Sequence, residues 1–402
     1  MKSAATALLV STTIFLTVSP ALSDQEPKKN LVIEPPRLST ILPLQKIPNP
    51  NRLTVFCGVT ERCSLREYQA RFGVCGLYVL KNGTVRIEMF NNSQTIRCQE
   101  DVNGIDKMFG VASVTKSITS TLLAQVLSEK YHPESKRQFE RILGRSVGSF
   151  LGEDDRKAIE TGYAEVKLHN ILEMRSGIAW REEAIWPFVS DSRRFDERVR
   201  EPPRKENLLE FAASYKLNES RVREFRYSAL DAAMAIPVAA SSTHDKDALA
   251  AFERGVWSMI GAKHSARWNV DRNAQPIGPC CFRARIDDLA RFGDFVLNKG
   301  KGKIPAAWFD LATARTSDRF VGLKDESGGV DASCRLGYGY FWWLRQGRQD
   351  FTAYGHGGQF VHIYPKERIV IVQMSDWILT RVSDQARCTA LKTHDEIVRQ
   401  LR

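Results

Sequence analysis

The stretch Phe109-Gly-Val-Ala-Ser-Val-Thr-Lys-Ser-Ile118 places a lysine, Lys116, three residues after Ser113. Apolar residues at helical spacing follow it and predict a helix with one buried face: Ile118, Leu122, Leu123, Val126 and Leu127. Ser113 then lies where the helix begins, and Lys116 can turn back toward its hydroxyl within one turn. A serine hydroxyl needs a nearby base, and a lysine can serve where burial and positive potential lower its pKa. The stretch therefore predicts a nucleophile with its own base.

A structural interpretation of the same stretch remains open from these residues alone. Ser113 could be a helix N-cap and Lys116 a solvated surface charge. A capping box, however, places Glu or Gln at the fourth position, whereas a lysine in the first turn opposes the helix dipole. The rest of the chain has to decide between the two interpretations.

A second group of residues surrounds Tyr227, in Arg226-Tyr-Ser-Ala-Leu-Asp231. It lies just before a predicted helix, so the Tyr227 hydroxyl can project from a loop. A phenol near a lysine ammonium has a lowered pKa and can act as a partner base, then as the acid for a leaving group. A purely structural tyrosine is the alternative.

A third group is Tyr354-Gly-His-Gly-Gly-Gln359, between two strand-like runs. Its glycines leave the backbone edge open to a substrate, which is typical of a substrate-binding strand. Backbone N–H groups there could complete an oxyanion hole, and His356 could donate to the substrate or support the tyrosine. The alternative is a glycine-rich bend that carries a partly exposed histidine.

Together the three groups resemble one family. Ser113-x-x-Lys116, Tyr227-x-x and His356-Gly-Gly358 follow the order and broad spacing of S-x-x-K, Y-x-N and K-T-G or H-x-G in the serine β-lactamase and penicillin-recognising superfamily. The similarity extends over roughly residues 70–402, including 166–180 and 288–293. Within the superfamily the chain is most similar to the class C-like branch of esterases, D-amino-acid peptidases and 6-aminohexanoate-dimer hydrolases.

The resemblance implies a fold and a mechanism. The fold is α/β (α+β), β-lactamase/DD-peptidase-like, with an antiparallel sheet flanked by helices and a mainly helical domain beside it. In the implied acyl-enzyme mechanism Ser113 attacks a carbonyl, Lys116 coupled to Tyr227 takes the proton, and Tyr227 protonates the leaving group. The backbone N–H groups of Ser113 and Gln359 are the implied oxyanion hole. Water then hydrolyses the acyl-enzyme, with His356 as a further catalytic candidate.

The resemblance also implies where substrate binds. Gly357 and Gly358 belong to the third motif and are candidate substrate contacts. Trp180, Glu182 and Trp186 follow the segment after which relatives place a lid, so they are candidate pocket residues. A core or surface position is an equally good interpretation of those three.

Two positions depart from the family pattern. His356 stands where β-lactam-binding members usually have a lysine for the antibiotic carboxylate, so a permanent cation is missing. Ala229 replaces an amide that often binds both the lysine and the substrate, so Lys116 must find its hydrogen bonds elsewhere. We therefore expect a serine hydrolase, a β-lactamase-related esterase or amidase acting on a small ester or amide. The alternatives are a β-lactamase or D,D-peptidase acting on cell-wall peptides, and a non-catalytic binding or sensor protein on the same fold.

The first 55 residues predict export. Residues 1–23 have the pattern of a cleaved secretory signal peptide, because an apolar run ends at a cleavage-like site of small residues. That run is shorter than the roughly 20 residues that span a bilayer, so we expect a periplasmic or secreted chain without stable membrane insertion. Residues 24–55 are proline-rich and polar, and they predict an extended arm.

The remaining chain divides into an α/β domain over 56–112 and 270–402, with a mainly helical domain over 113–269 between its two parts. Alternation and turn residues predict these strands: Val74–Leu80, Thr84–Phe90, Tyr338–Leu344, Phe351–Tyr354, Phe360–Tyr364 and Ile369–Met374. Lys81-Asn-Gly83 joins the first two as a hairpin. Further helices are predicted over Leu168–Met174, Lys205–Tyr215, Ser228–Ala240, Asp245–Ile260, Arg285–Asn298 and Ser383–Leu401.

Eight cysteines in an exported chain of 402 residues permit disulfides. Two pairs are plausible bridges: Cys57 with Cys63, and Cys75 with Cys98. The adjacent Cys280 and Cys281 are not expected to bond each other. No zinc-binding cysteine spacing occurs, and no metal or organic cofactor is implied. The net charge of +11 is spread among interleaved acidic residues, so nucleic-acid binding is not expected.

Overall fold

The computed structural model describes residues 30–37, 42–58, 60–91, 107–182, 190–316, 319, 331–377 and 384–402. The predicted signal peptide over 1–23 lies outside these residues, as do Cys98 and Trp186. Among the helices of the described ranges, none has the length and apolar character that crossing a membrane requires.

The strands in chain order are β1 (Asn30–Ile33), β2 (Thr54–Phe56), β3 (Arg62–Ser64), β4 (Val74–Lys81), β5 (Thr84–Phe90), β6 (Met108–Gly110), β7 (Ala266–Asn269), β8 (Phe282–Arg285), β9 (Leu336–Tyr338), β10 (Trp343–Arg345), β11 (Phe351–Gly355), β12 (Gln359–Tyr364) and β13 (Ile369–Ser375). The α-helices are α1 (Leu65–Arg71), α2 (Val114–Tyr131), α3 (Lys136–Leu143), α4 (Glu153–Ala158), α5 (Leu168–Leu172), α6 (Asp191–Phe195), α7 (Leu208–Ala212), α8 (Ala229–Ser241), α9 (Ala248–Phe252), α10 (Ile286–Leu297), α11 (Ala306–Ala312) and α12 (Asp384–Leu401).

The main sheet has seven antiparallel strands in the order β5-β4-β13-β12-β11-β10-β9. The turn at Asn82 and Gly83, with φ of 52° and 72°, closes the predicted hairpin between β4 and β5. β4 also pairs with β13, so the N-terminal hairpin is joined to the C-terminal strands. Strands from both ends of the chain therefore form one sheet.

Both faces of this sheet are buried, as β13 shows. Val370, Val372 and Met374 point into the large core with α10, whereas Ile369 and Ile371 pack on the opposite side, in the core that contains residues of α12. The strict alternation follows from the two-residue period of a strand. The fold is therefore mixed α/β, with helices on both sides of an antiparallel sheet.

A second, four-stranded sheet in the order β1-β7-β8-β6 was not predicted. Its strands are only three or four residues long, and β7 lies within the region expected to be helical. Segments this short carry little periodicity, which explains why the pattern was missed. The sheet matters for the site because the chain runs from β6 directly to Ser113, and β6 is paired with β8.

Three predicted elements differ from the structure. The run Tyr338–Leu344 is two short strands, β9 and β10, which pair with each other across a bend. The predicted helix over Asp245–Ile260 begins as α9 and continues as a π-helix over Glu253–Trp257. The helix after Ser113 is α2, and its residues 114–127 are buried on all sides, not on one face.

The disulfides correct one expectation. Cys57 and Cys63 are bonded, as predicted, while Cys75 is disulfide-bonded and its expected partner Cys98 lies outside the described residues. The expectation that Cys280 and Cys281 do not bond each other is wrong, because these adjacent residues form a disulfide. The structure also joins Cys334 to Cys388.

The end of β11 lies against the turn before α2. A Cβ built on Gly355 would lie 2.5 Å from the carbonyl oxygen of Val111 and 3.0 Å from the backbone nitrogen of Ser113. Contacts this short leave no room for a side chain. Glycine at position 355 therefore lets the sheet approach the start of the helix.

Two buried histidines lie between the main sheet and α12. The Nδ1 atoms of His362 and His394 are 3.1 Å apart, His362 Nε2 is 2.9 Å from an Asp350 carboxylate oxygen, and His394 Nε2 is 3.0 Å from Gln373 Oε1. Burial lowers the pKa of both imidazoles, although Asp350 opposes this at His362. Burial therefore disfavours the charged form of either imidazole in the folded protein.

We expect the buried histidines to make the fold acid-sensitive. The unfolded chain takes up protons near the ordinary histidine pKa of 6.5, and the folded chain does so only at lower pH. The free energy of unfolding should therefore fall as the pH drops below about 6.5, by about 1.4 kcal/mol per pH unit for each such proton. His394→Gln should make the loss between pH 6.5 and 5 shallower in urea unfolding, and an unchanged slope would contradict this account.

Gly355→Ala should destabilise the fold by about 1–3 kcal/mol, the usual effect of forcing an extra methyl into a packed site. The matched control is Gly110→Ala, because a Cβ at Gly110 meets no atom within 4 Å. Thermal and urea unfolding of both variants measure the difference. Equal stability of the two variants would show that the contact between β11 and the Ser113 turn is not tight.

Candidate active site

Ser113 occupies a sharp turn at the start of α2. The preceding residue, Ala112, has φ of 47°, which is unusual for a residue with a side chain. The Thr115 hydroxyl donates to the Ala112 carbonyl at 2.6 Å and holds this turn. Ser113 takes the N-cap position, yet its side chain accepts no capping hydrogen bond from the helix backbone. The Ser113 hydroxyl is therefore presented at the helix start without serving as a cap.

Lys116 is the hydrogen-bond partner of that hydroxyl. Its Nζ lies 3.1 Å from Ser113 Oγ and 3.0 Å from the carbonyl oxygen of Pro279. The side chain is only 3% exposed, so Lys116 is not a solvated surface charge. The structural interpretation of this motif is therefore wrong, because the Ser113 side chain makes no capping hydrogen bond and Lys116 is buried.

The structure brings Tyr227 to the same point. Lys116 Nζ lies 4.8 Å from the centroid of the Tyr227 ring, and that ring stacks on Trp343 with centroids 5.6 Å apart. A cation over an aromatic face is stabilised by up to about 2 kcal/mol when water is excluded. Tyr227 thus borders the ammonium, and the β10 residue Trp343 fixes the orientation of its ring.

Pro279 contributes its backbone carbonyl to the candidate site, a contact that no sequence motif predicted. Ala229 stands where the family resemblance implies an amide, so Lys116 needs another hydrogen-bond partner. The Pro279 carbonyl is that partner, although it lies 163 residues from Lys116 in the sequence. A backbone carbonyl can belong to any residue type, so no sequence motif could have pointed to it.

The third motif forms a turn. Residues 356–358 connect β11 to β12, so the predicted substrate-binding strand is interrupted there. Gly357 and Gly358 are buried with φ of 81° and 83°, and a Cβ on Gly358 would lie 2.4 Å from the Trp377 ring. His356 is exposed at the tip of the turn and borders the cavity that contains Ser113. The glycines therefore shape the turn that presents His356.

Gln359 begins β12 beside this turn. Its side-chain amide is buried and donates to the carbonyl oxygens of Gly357, at 3.0 Å, and Ser375, at 2.7 Å. These bonds fix the backbone where the second oxyanion-hole N–H is expected. Gln359 also lines a smaller cavity of about 340 Å³ together with Ala112 and His356.

The candidate pocket residues fall in different places. Trp180 is 4% exposed and packs against Phe211 and Tyr215, and its indole N–H donates to Glu182. The same Glu182 oxygen accepts a hydrogen bond from the backbone N–H of Ala229 at 2.8 Å. Glu182 also lines the cavity that contains Ser113, here called the main cavity. Glu182 therefore anchors the start of α8, next to Tyr227. The third candidate, Trp186, lies outside the described residues.

A buried carboxyl also holds α8 in place. Asp231 accepts hydrogen bonds from the hydroxyls of Tyr163 and Ser176, both at 2.7 Å. Burial raises the pKa of Asp231 to about 7, although these hydrogen bonds act in the opposite direction. The first turn of α8 is thus attached to two loops of the helical region, which keeps Tyr227 in register with Lys116.

The main cavity has a volume of about 1060 Å³, and Ser113, Lys116, Glu182 and His356 are among its lining residues. Its wall carries charges of both signs; Arg200, for example, pairs with Asp196 at 2.8 Å and Glu201 at 3.0 Å. A cavity of this size accommodates a small organic molecule. The serine hydroxyl and its lysine therefore open onto a space that a substrate can fill.

Potential metal ligands within the described residues lie away from this cavity's lining. The first group is Asp331, Cys334 and Cys388, and its two cysteines form a disulfide. The second group is His264, Asp287 and Asp288, and Arg291 forms ion pairs with both of its carboxylates.

Solved structures with the same fold include three hydrolase-related proteins. "Putative 6-aminohexanoate-dimer hydrolase from Bacillus anthracis" is 17% identical with a TM-score of 0.74, covering 92% of this chain and 91% of that chain. A "putative beta-lactamase from Bacteroides dorei DSM 17855" is 15% identical with a TM-score of 0.57, covering 84% and 97%. "EstCE1, a hydrolase with promiscuous acyltransferase activity" is 13% identical with a TM-score of 0.56, covering 83% and 96%.

These likenesses, at such low identity, establish the fold. No curated protein matches the sequence. A family model described as Beta-lactamase matches residues 65–378, a range that includes Ser113, Lys116, Tyr227 and His356. Since that range is most of the 402 residues, the chain belongs to the Beta-lactamase family.

Proposed function

We propose that this protein is an exported serine hydrolase that cleaves a small ester or amide through an acyl-enzyme on Ser113. The observation that carries the proposal is the 3.1 Å contact between Lys116 Nζ and Ser113 Oγ, made by a buried lysine at the edge of a large cavity. A nucleophile and a base within hydrogen-bond distance are what acyl transfer requires. The serine hydrolase fold of the family supports the same reaction class.

In the first half of the reaction, the Ser113 oxygen attacks the substrate carbonyl and its proton passes to Lys116. Tyr227 borders the ammonium and is proposed to relay the proton to the leaving group. The backbone N–H groups of Ser113 and Gln359 are proposed to hold the oxyanion, an effect of about 3–4 kcal/mol per donor where one has been removed. Departure of the alcohol or amine leaves the acyl group on Ser113.

In the second half, water attacks the acyl-enzyme and the same groups act in reverse. Lys116, with Tyr227 beside it, accepts one proton of the water and passes it to Ser113 Oγ, which leaves as the alcohol. His356, exposed on the turn that borders the cavity, is positioned to contact the acyl or leaving group. Of these groups, Ser113, Lys116 and His356 line the cavity, and Tyr227 lies against Lys116.

Three features support an ester or small amide over a β-lactam. His356 supplies no permanent cation for an antibiotic carboxylate, and Ala229 supplies no amide for an acylamido group. In addition, two of the solved structures with this fold are described as a "Putative 6-aminohexanoate-dimer hydrolase" and as "a hydrolase with promiscuous acyltransferase activity". A β-lactamase or D,D-peptidase activity remains the alternative that the substrate panel below tests.

Export is part of the proposal. Residues 1–23 carry the signal-peptide pattern, and the disulfides of the described residues fit an oxidising compartment. A periplasmic or secreted enzyme would meet its substrate outside the cytoplasm.

The nucleophile is tested with a fluorophosphonate and intact-mass measurement. Wild type should gain one adduct, Ser113→Ala none, and Lys116→Ala should react about 100- to 10,000-fold more slowly. Lys130→Ala is the matched control, since Lys130 lies at the other end of α2 and should leave the rate unchanged. A folded wild type that gains no adduct would favour a non-catalytic binding protein.

The substrate class is tested with p-nitrophenyl esters of increasing acyl length, 6-aminohexanoate dimer and nitrocefin. We expect kcat/KM to be highest for a short-chain ester or the dimer and lowest for nitrocefin, because the cation for a β-lactam carboxylate is absent. Ser113→Ala gives the background rate for every compound. Nitrocefin turnover above that of every ester and of the dimer would identify a β-lactamase instead.

A further inference from the structure

We propose that the disulfide between the adjacent residues Cys280 and Cys281 is a positioning device for Lys116. The inference rests on the proposed function, because it assigns to this bond the task of holding the carbonyl that orients the catalytic lysine. Pro279, whose carbonyl oxygen lies 3.0 Å from Lys116 Nζ, immediately precedes the two cysteines. Both cysteines are half-buried and line the main cavity.

The chain before Pro279 is held by two helices. The Thr119 hydroxyl of α2 donates to the Gly278 carbonyl at 2.9 Å. On the other side, a Cβ built on Gly278 would lie 2.6 Å from the carbonyl oxygen of Ala232 in α8, so the backbone of Gly278 presses on that helix. Pro279 therefore begins from a fixed point between the helix of Ser113 and the helix that follows Tyr227.

The chain after Cys281 is held by the four-stranded sheet. Phe282 begins β8, pairs with Trp268 of β7, and its backbone N–H donates to the Thr115 hydroxyl at 3.3 Å. Between these two fixed points lie Pro279, Cys280 and Cys281, whose backbone is held by two longer hydrogen bonds: the Cys280 N–H donates to the Ile277 carbonyl at 3.4 Å, and the Asn269 N–H donates to the Cys281 carbonyl at 3.3 Å. Any rotation within these three residues would therefore move the Pro279 carbonyl relative to Lys116.

Cys281 has φ of 77°, a left-handed conformation that disfavours a residue with a side chain. A bond between neighbouring side chains closes a small covalent ring that includes the Cys280–Cys281 peptide. That ring restricts rotation about ψ of Cys280 and φ of Cys281. The disulfide therefore keeps Cys281 in a conformation that an unbonded cysteine would tend to leave.

Two further contacts support this geometry. The Trp268 indole N–H is 2.9 Å from the Ile277 carbonyl and 3.3 Å from the Cys280 carbonyl, so one donor spans the turn. An Arg200 guanidinium nitrogen lies 3.8 Å from Cys281 Sγ, on the cavity side. The disulfide thus forms part of the cavity wall while it closes the turn that ends at the Lys116 acceptor.

The test compares two double variants. In Cys280→Ser with Cys281→Ser, the ring is lost and a side chain remains at the left-handed position. In Cys280→Ser with Cys281→Gly, the ring is lost but glycine adopts positive φ readily. We expect the first to lower kcat and the fluorophosphonate labelling rate about 10- to 100-fold with KM within about threefold, because a small misplacement of a catalytic group has effects of this size. The glycine variant should recover most of the loss.

The control removes another disulfide, with Cys57→Ser and Cys63→Ser. That bond lies in the core on the opposite face of the main sheet, so its loss should lower the melting temperature and leave kcat unchanged. If the double serine variant at Cys280 and Cys281 turns over at the wild-type rate, the proposal is wrong and the serine hydrolase proposal stands. Equal losses in the serine and glycine variants would likewise remove the conformational argument.

A crystal structure of the double serine variant tests the inference without activity. We expect the distance between Lys116 Nζ and the Pro279 oxygen to lengthen beyond 3.5 Å, whereas wild-type geometry in the variant would overturn the proposal. This measurement also separates the two proposals if wild type gains no fluorophosphonate adduct. In that case the reaction assigned to Ser113 would fail, and the structure alone would decide whether the disulfide positions Lys116.

Discussion

The burial of the Lys116 amino group is the constraint on which the rest of the site depends. A charged or polar nitrogen that leaves water must find acceptors, or its burial opposes folding. Here the acceptors are Ser113 Oγ and the Pro279 carbonyl, and the face of the Tyr227 ring adds a third favourable contact. These three groups come from three separate parts of the chain, so a buried lysine requires that all three parts meet.

Close backbone approach is how the fold meets that requirement. Gly355 lets the main sheet touch the Ser113 turn, and Gly278 lets the segment before Pro279 touch α8. The left-handed residues Ala112 and Cys281 carry local strain at the two ends of the same arrangement. Such strain persists only where the surrounding packing is strong, and α2 is buried on all sides over residues 114–127. The rigid helix thus makes the unusual turns possible.

The sequence predicted those features that short-range chemistry determines. The Ser113–Lys116 pair lies within one helical turn, the β4–β5 hairpin follows from Asn82-Gly83, and a long alternating strand such as β5 is visible from its pattern. Features that depend on distant parts of the chain were missed or wrong. The Pro279 carbonyl, the short strands of the second sheet and the Cys280–Cys281 bond each depend on a tertiary fold that places a turn against α2. The role of Glu182 as an anchor of α8 was equally invisible, because its partner is the backbone N–H of Ala229.

The exchange of a side-chain amide for a backbone carbonyl has a consequence for recognition. An amide side chain offers both a donor and an acceptor, so it can bind a lysine and a substrate at once. A backbone carbonyl accepts only, and here it is buried and already receives the Lys116 hydrogen bond. The lysine keeps its orientation while the cavity loses one donor for the acylamido group of a peptide-like substrate. Selectivity must then come from the cavity wall, where His356 and the paired charges around Arg200 replace a fixed amide contact. The proposed preference for simple esters and amides rests on the loss of this donor.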